Sequence, residues 1–421
     1  MKKCLFVAVL TGFVAGPGVF AQDDSRVEAL ERKVAMLEEA AERRQFGDVI
    51  PALGAPVHGM AAAASKVYGV KQGVSIGGYG EALYQRFDGD KSDEFDFLRA
   101  VLYFGYKYTD QWVFNSEIEF EHASTGKEGE ASVEFAYLDY LASSALNFRA
   151  GLLLMPVGIA NELHEPTAFL SARRPLIENS IIPTTWRENG IGLFGELAGG
   201  FSYKAYVVNG LRADGFSSGG LRGGRQKGSK AKAEDFAGVI RLDYQPMTAL
   251  TTGASFYQGD SGQDLEVSAN TSIVEAHMDY RSKGLEVQAL YTQAEVDDAA
   301  ALSRIAGGKN DDGSAKADAE INAVGETLSG WYVQLGYDLM TMRSGEAEMA
   351  LTPFVRYSAY NTQDSIPDGF KRSGRSDVEV TTIGVNFKPI DEVVFKVDYQ
   401  MIDNAAGTGE DQLNVALGYV F

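Results

Sequence analysis

The segment LNVALGYVF, residues 413–421, places a bulky apolar side chain at nearly every second position. A period of two is typical of a β-strand with one apolar face and one polar or small-residue face. The segment WYVQLGY, residues 331–337, repeats the pattern, and similar alternation continues through most of the chain from residue 74 onward. The sequence therefore predicts a protein built almost entirely of strands.

The composition agrees with many strands and narrows the class of protein. The chain has 20 Tyr, 23 Phe and 47 Gly but only 11 Pro, and aromatic residues favour a pleated surface. No apolar run reaches the roughly 20 residues of a transmembrane helix, so a membrane location would require a closed barrel. Alternation alone does not separate such a barrel from a soluble sandwich, because both have one apolar and one polar face.

The lengths of the connections separate these two architectures. We count sixteen candidate strands, which start near residues 74, 95, 111, 132, 146, 190, 201, 235, 248, 270, 284, 329, 346, 377, 391 and 411. Short turns alternate with long loops between them. An even number of antiparallel strands with this rhythm is the pattern of an outer-membrane barrel. The strand-like segment 413–421 also ends in an aromatic residue, Phe421, and this arrangement resembles the signal by which barrel proteins are recognised for insertion into the outer membrane.

The first residues predict export. Lys2 and Lys3 precede an apolar stretch, and Val19-Phe20-Ala21 offers a small-residue cleavage site. We therefore expect residues 1–21 to be a cleaved signal peptide and the protein to reach the outer membrane of a Gram-negative cell. The only cysteine, Cys4, lies ahead of the apolar stretch, so a lipid anchor is not expected.

Two short regions follow the signal. Residues 22–45 carry a heptad seam of Val27, Leu30, Val34, Leu37 and Ala41, and RVEALE (residues 26–31) resembles a trimer-favouring coiled-coil pattern. A single amphipathic helix packed on a domain is the alternative. Residues 46–73 are rich in Gly, Ala and Pro and predict a linker, in which His58 is solvated. The barrel domain is then expected over residues 74–421.

One long connection differs from the rest. Residues 158–189, GIANELHEPTAFLSARRPLIENSIIPTTWREN, show neither a helical nor a strand period and contain three prolines. A structureless loop of this length inside a compact domain is usually functional. We expect it to fold into the mouth of the barrel.

These residues together resemble the phosphate-selective porin O and P family. The resemblance covers about residues 70–421, and its most specific parts are GGYGEALYQRF (residues 77–87), VEFAYLDY (133–140), FRAGLLLMPVGI (148–159) and RENGIGLFGE (187–196). It implies a trimer of sixteen-stranded barrels whose third long loop narrows the pore and whose lumen conducts anions through basic residues. Loop 158–189 is the third long loop of this chain.

The alternation along each strand predicts which basic side chains face the lumen. If the bulky apolar positions face lipid, the inward basic residues are Arg99, Lys107, Arg149, Lys204, Arg241, Arg281, Arg356 and Lys396. Acidic residues, among them the stripe Glu117, Glu119 and Glu121, share this face. The alternative for each basic residue is a charge that is held in an ion pair or solvated.

The constriction loop has arginines that are suited to anions. Its basic residues are Arg173, Arg174 and Arg187, set against Glu162, Glu165, Glu178 and Glu188. Selecting phosphate requires several unpaired donors at one point, because a desolvated dianion must recover its lost hydration. The pair Arg173–Arg174 is the best candidate, unless the glutamates neutralise it. We expect His164 to hydrogen-bond within the loop.

A second basic segment lies on the next long loop, residues 211–234. Its cations are Arg212, Arg222, Arg225, Lys227, Lys230 and Lys232. On the outer side of the membrane they could collect anions before entry. Contact with the phosphates of lipopolysaccharide, or a mobile solvated loop, are the alternatives.

The sequence therefore predicts an all-β membrane protein, a 16-stranded antiparallel transmembrane β-barrel preceded by a short coiled-coil helix. We expect a passive porin that prefers phosphate or other anions, with outer-membrane lipid, lipopolysaccharide and two further copies of itself as partners. The formal net charge of −20 argues against nucleic acid. The alternatives are a general or cation-preferring porin, an outer-membrane barrel enzyme, and a periplasmic tether. No cofactor or metal is indicated.

Overall fold

The computed structural model describes residues 32–36, 53–124, 126, 129–310, 314–342 and 349–421. The chain divides into two units, residues 1–49 and 50–421. In the first unit, residues 32–36 are helical. The predicted signal peptide and the rest of the predicted coiled coil lie outside the described residues.

The second unit is a closed antiparallel barrel of sixteen strands, so the predicted architecture is confirmed. The strands are β1 Gly73–Phe87, β2 Glu94–Lys107, β3 Trp112–Glu121, β4 Ala131–Leu141, β5 Asn147–Leu154, β6 Arg187–Leu197, β7 Phe201–Asn209, β8 Phe236–Met247, β9 Leu250–Asp260, β10 Asn270–Ser282, β11 Leu285–Val296, β12 Thr327–Tyr337, β13 Ala350–Ser365, β14 Asp377–Ile390, β15 Val393–Asn404 and β16 Gln412–Val420. Each strand pairs with its neighbours in the chain, and β16 pairs with β1.

The barrel wall reverses the burial of a soluble protein. In β12, Trp331, Val333 and Leu335 are 42%, 45% and 48% exposed, whereas Tyr332 and Gln334 between them are buried. Apolar side chains that face outward suit a hydrocarbon surrounding, and polar side chains that face inward suit a lumen. The alternation of apolar and polar residues along the strands therefore corresponds to an outer surface that faces lipid and an inner surface that faces the lumen.

The described helices of the second unit are few and short. They are α1 Lys66–Gly69, α2 Ile177–Ser180 and α3 Ala299–Gly307, with 3₁₀ turns at Ala213–Gly215, Arg222–Gly224, Asp318–Glu320 and Leu339–Met342. Among the residues that the structure describes, no helix is both long enough and apolar enough to cross a membrane.

Residues 53–72, which we call the plug segment, lie against the inner wall instead of forming the predicted linker. Ala63 and Ala64 donate their backbone N–H groups to the Glu165 carboxylate at 3.2 and 3.0 Å. The Ala64 carbonyl accepts a hydrogen bond from Asn115 of β3 at 2.8 Å. Small side chains let this backbone approach the wall closely, so the Ala- and Gly-rich composition reflects packing. His58 likewise contacts the Tyr68 and Phe194 rings.

Residues 155–186, between β5 and β6, form what we call the inward loop. Hydrogen bonds join it to wall residues on the opposite side of the barrel: the Leu170 carbonyl accepts from Asn386 of β14 at 3.0 Å, and Glu178 accepts from the Tyr332 hydroxyl of β12 at 2.9 Å. The loop therefore spans the lumen. Arg187, predicted in this loop, is the first residue of β6, because it pairs with Leu154 in the β5–β6 ladder.

Candidate functional site

Several predicted lumen cations hold the inward loop in place. Lys396 donates to the Ser171 carbonyl at 2.9 Å, and Arg356 donates to the Ser171 hydroxyl at 2.7 Å. Arg241 donates to the Gly158 carbonyl at 2.5 Å. These side chains come from β15, β13 and β8, so the loop is tied at widely separated points of the wall. The N–H groups that make these bonds are committed to the loop.

The other predicted lumen cations are paired with carboxylates. Arg149 makes two short bonds to Asp139, at 2.8 and 2.9 Å. The remaining ion pairs join Arg99 to Glu81 and Glu119, Lys204 to Glu162, Arg281 to Asp279, and Lys107 to Asp110. A solute that passes through the lumen therefore meets these cations with their charges largely compensated.

All four glutamates of the predicted constriction have hydrogen-bond or ion-pair partners other than Arg173 and Arg174. Glu162 binds Lys204 at 2.5 Å. Glu165 accepts from the plug segment, as described above. Glu178 accepts from the backbone N–H groups of Ile159 and Ala160. Glu188 accepts from the Trp186 indole at 3.1 Å and from Asn209 at 2.5 Å.

The three predicted anion-binding arginines have different surroundings. Arg187 is buried, and its guanidinium donates to Glu134 at 3.1 Å and to the Ser132 hydroxyl. The structure does not bring it to the other two. The Arg174 guanidinium makes one long bond, 3.4 Å, to the His164 carbonyl. For the Arg173 guanidinium, the described residues provide neither a hydrogen bond nor a carboxylate within 4 Å.

The basic loop, residues 210–235, is folded against the inward loop. The Leu221 N–H donates to the Ser180 carbonyl. Gly220 has φ +111°, and a Cβ added there would lie 2.0 Å from the same carbonyl, so only glycine permits this approach. A mobile solvated loop, one of the alternatives above, does not describe this packed segment.

The cations of the basic loop divide into two groups. Arg212, Lys227 and Lys232 form ion pairs with Asp214, Glu130 and Asp264. Within the described part of the chain, no carboxylate pairs with Arg222, Arg225 or Lys230. Arg225 instead donates to the Thr185 carbonyl at 2.8 Å. The Arg222 Nη1 atom is buried without a hydrogen-bond partner among these residues.

Arg173, Arg174 and Arg222 line one cavity of about 310 Å³ together with Arg99 and Lys91. Its carboxylates are Glu81, Glu94 and Asp96, which have Arg99, Lys91 and His122 as their partners. The five cations therefore exceed the three carboxylates by two charges. We call this space the arginine cavity. It combines a local positive excess with three guanidinium groups that have no carboxylate partner.

Burial shifts the pKa values of two arginines that line this cavity. Burial, together with the positive charges of Arg225 and Arg174, lowers the pKa of Arg222 to about 9. Burial also lowers the pKa of Arg173, although Asp398 and Glu94 oppose the shift. A depressed arginine pKa means that the surroundings penalise the cation, and an anion in the cavity would remove that penalty.

A second cavity, about 610 Å³, lies along β6 to β9 and contains Lys204 and Arg241. Both are paired: Lys204 with Glu162, and Arg241 with Asp243 at 2.8 Å. This cavity is larger, but its three carboxylates, Glu162, Glu196 and Asp243, outnumber its two cations. The positive excess of the arginine cavity is therefore not repeated here.

Sequence reasoning missed the contribution of Arg222 to the arginine cavity. Arg222 lies 48 positions beyond Arg174, on a different loop, so no spacing connects them. The Gly-rich stretch GGLRGG around it was the available signal, because glycines permit a close loop-on-loop approach.

Comparisons with known proteins agree with this architecture. The family described as phosphate-selective porin O and P matches residues 242–413. An uncharacterized protein of Aquifex aeolicus (strain VF5) is 39% identical over 381 residues, which cover 89% of this chain and 86% of that protein.

Two solved structures resemble the barrel. An anion-selective porin from Comamonas acidovorans is 10% identical, with a TM-score of 0.52, over 83% of this chain and 99% of that chain. OmpT of Vibrio cholerae, folded in vitro and in trimer form, is 12% identical, with a TM-score of 0.51, over 83% and 99%. At these identities the likeness concerns the fold.

Proposed function

The chain belongs to the phosphate-selective porin O and P family and forms an outer-membrane porin channel, and we propose that this channel prefers anions, phosphate among them. The arginine cavity carries the proposal. There, Arg173, Arg174 and Arg222 converge without a carboxylate partner among the described residues. The preference arises where the inward loop and the basic loop meet, and the paired cations elsewhere in the lumen add little to it.

The geometry suits a small oxyanion. Guanidinium groups donate several N–H bonds in a plane, and phosphate accepts such bonds in bidentate fashion. Three guanidiniums that enclose one space can replace the hydration that an anion loses on entry. The buried Nη1 donor of Arg222 has no partner among the described residues, so binding an anion would supply a hydrogen bond there.

The overall acidity does not oppose this proposal. The formal charge of −20 and the stripe of Glu117, Glu119 and Glu121 are the sequence features that favour the alternative, a cation-preferring porin. Two of those glutamates are engaged: Glu119 pairs with Arg99 at 3.2 Å, and Glu117 faces His164 at the same distance. Ion selection depends on the charges at the narrow part of the path, because potentials decay within about 10 Å at 0.1 M salt.

The test is single-channel recording of the purified chain in planar bilayers. A tenfold KCl gradient should give a reversal potential of the sign set by chloride permeation. Adding phosphate at millimolar concentration should reduce the chloride current, because phosphate occupies the arginine cavity. A cation-selective reversal potential with no effect of phosphate would refute the proposal in favour of a cation-preferring porin. Weak selectivity of either sign would favour a general porin.

We propose three further properties. The chain forms a homotrimer, supported by the trimer-favouring pattern of residues 26–31 and by the trimer form of a protein with a similar barrel. Its outward lysines and arginines contact the phosphates of lipopolysaccharide. Residues 1–21 direct export. Conductance in steps of three would support the trimer, and monomeric behaviour in mild detergent during light-scattering measurements would exclude it.

A further inference from the structure

Three buried side chains converge where the inward loop meets the wall. Glu117 of β3, Glu134 of β4 and His164 of the inward loop are each at most 1% exposed. Each offers one ligand atom, and these atoms all lie within 4.8 Å of one another. Among the described residues no other group of histidines and carboxylates meets this condition. The cluster is separate from the arginine cavity, whose lining contains none of the three.

One ring nitrogen of His164 faces both carboxylates. His164 Nε2 lies 3.2 Å from each oxygen of Glu117 and 3.5 Å from Oε2 of Glu134. A single N–H cannot point at both carboxylates at once. Accordingly, Oε2 of Glu134 is buried and has no hydrogen-bond partner among the described residues. A buried carboxylate oxygen without a partner is costly, so this atom indicates a missing ligand.

The surroundings hold each of the three groups in position. His164 Nδ1 lies 2.9 Å from the Asn161 carbonyl and donates to it, so Nε2 is the ring nitrogen that can bind a metal in exchange for its proton. Glu134 uses its other oxygen, Oε1, to accept from Thr185 at 2.6 Å and from Arg187 at 3.1 Å. Second-shell bonds of this kind orient the ligands of metal sites.

We propose that Glu117, Glu134 and His164 bind a divalent transition metal ion of the zinc class and thereby fasten the inward loop to the barrel wall. One imidazole with two carboxylates is a borderline ligand set that suits Zn²⁺. Metal–ligand bonds of about 2.0–2.2 Å place tetrahedral ligand atoms roughly 3.3–3.6 Å apart. The separations of 3.2 and 3.5 Å from Nε2 are close to that spacing. The ligand atoms of the two glutamates lie within 4.8 Å of each other, so adjustments of these side chains would complete the site.

The ion would connect three parts of the chain. Glu117 and Glu134 belong to neighbouring strands, whereas His164 lies in the loop that crosses the lumen. A bound metal therefore couples the position of the inward loop to the wall, and it does so whether or not the channel selects anions.

Zinc binding by the untagged chain tests the proposal. The protein is folded into detergent with and without equimolar ZnCl₂, desalted, and its zinc content is measured by mass spectrometry. We expect about one zinc per chain and a higher thermal unfolding temperature in the zinc-folded sample. His164→Gln and Glu134→Gln should each weaken zinc binding at least tenfold. Zinc content in these two variants equal to that of the wild type would overturn the proposal, as would no retained zinc in the wild type.

The chain offers a matched control in His277. It is also buried between two carboxylates, but it contacts them through different ring nitrogens: Nε2 lies 3.0 Å from Asp243, and Nδ1 lies 2.8 Å from Glu275. No single nitrogen faces both, so His277→Gln should retain zinc. Heat-dependent gel mobility shows that each variant has folded. Loss of zinc in His277→Gln to the same extent as in His164→Gln would mean adventitious binding and would also overturn the proposal.

Discussion

Removing the arginine pair tests the proposed selectivity at its centre. Arg173→Ala combined with Arg174→Ala deletes two positive charges from the arginine cavity. The anchors of the inward loop remain, because Lys396, Arg356 and Arg241 still hold its backbone and hydroxyl groups. The loop should therefore keep its position while its electrostatic potential changes.

The expected magnitude follows from Coulomb's law. A univalent ion about 6 Å from a guanidinium in water-like surroundings interacts with it by roughly 0.7 kcal/mol. Two arginines give about 1.4 kcal/mol, of opposite sign for an anion and a cation, so the difference between the two ions is about 2.8 kcal/mol. Screening at 0.1 M salt reduces this by roughly half. About 1.4 kcal/mol remains, which is about a tenfold fall in the anion-to-cation permeability ratio.

The assay is the reversal potential in a KCl gradient across planar bilayers. The control is Lys227→Ala with Lys232→Ala, which removes the same net charge from the basic loop. Those lysines are paired with Glu130 and Asp264, so their loss should change the ratio less than about twofold because exposed ion pairs act weakly. Equal changes in both double variants would show that selectivity follows total charge and would refute the assignment to the arginine cavity.

Three further results are expected. Arg187→Ala leaves Glu134 buried without its cation and should lower the free energy of unfolding by roughly 3–5 kcal/mol; a change below 1 kcal/mol in urea titration would contradict the role of this pair. Burial, followed by the positive charge of Arg149, lowers the pKa of His58 from 6.5 to about 4. The neutral form of His58 therefore stabilises the plug segment above pH 6.5, and this contribution is lost as the pH falls through about 4. Protection against hydrogen exchange in residues 57–70, corrected for the pH dependence of the intrinsic rate and followed by mass spectrometry, should therefore fall at low pH, and unchanged protection at pH 3.5 would rule this out. On the barrel wall, Leu335→Arg exposes a charge to lipid and should lower the free energy of unfolding by about 2–4 kcal/mol, whereas Gln334→Arg on the inner face should lower it less. Equal losses in folding titrations would contradict the assignment of Leu335 to the lipid face.

The barrel was predictable because its signals are local. Alternation in segments such as residues 331–337 depends only on neighbouring residues, and each strand pairs with the next in the chain. Fifteen of the seams therefore join strands that are adjacent in sequence. The pairing of β1 with β16 joins strands that are distant in sequence. It can still be predicted, because a sheet in a membrane can have no free edge.

The interior was less predictable, because its contacts join distant parts of the chain. The plug segment looks like a linker since Ala and Gly carry no periodic signal, and its main anchor, Glu165, lies about 100 positions away. The inward loop contains arginines and glutamates in nearly equal numbers, so composition does not reveal which are paired. Arg187 lies in a strand and pairs with Glu134, whereas no carboxylate among the described residues lies within 4 Å of the Arg173 guanidinium.

The closing seam also has a consequence for the order of assembly. Gly78 of β1 and Phe421 exchange backbone hydrogen bonds at 2.9 and 3.0 Å, beside the plug segment. The ring cannot be completed until its last strand is available, so the plug segment and the inward loop can settle inside an open sheet instead of threading into a finished cylinder. Completing the ring then confines them. We therefore expect the closing seam to form after the interior contacts of the buried glutamates, which can still rearrange while the sheet is open.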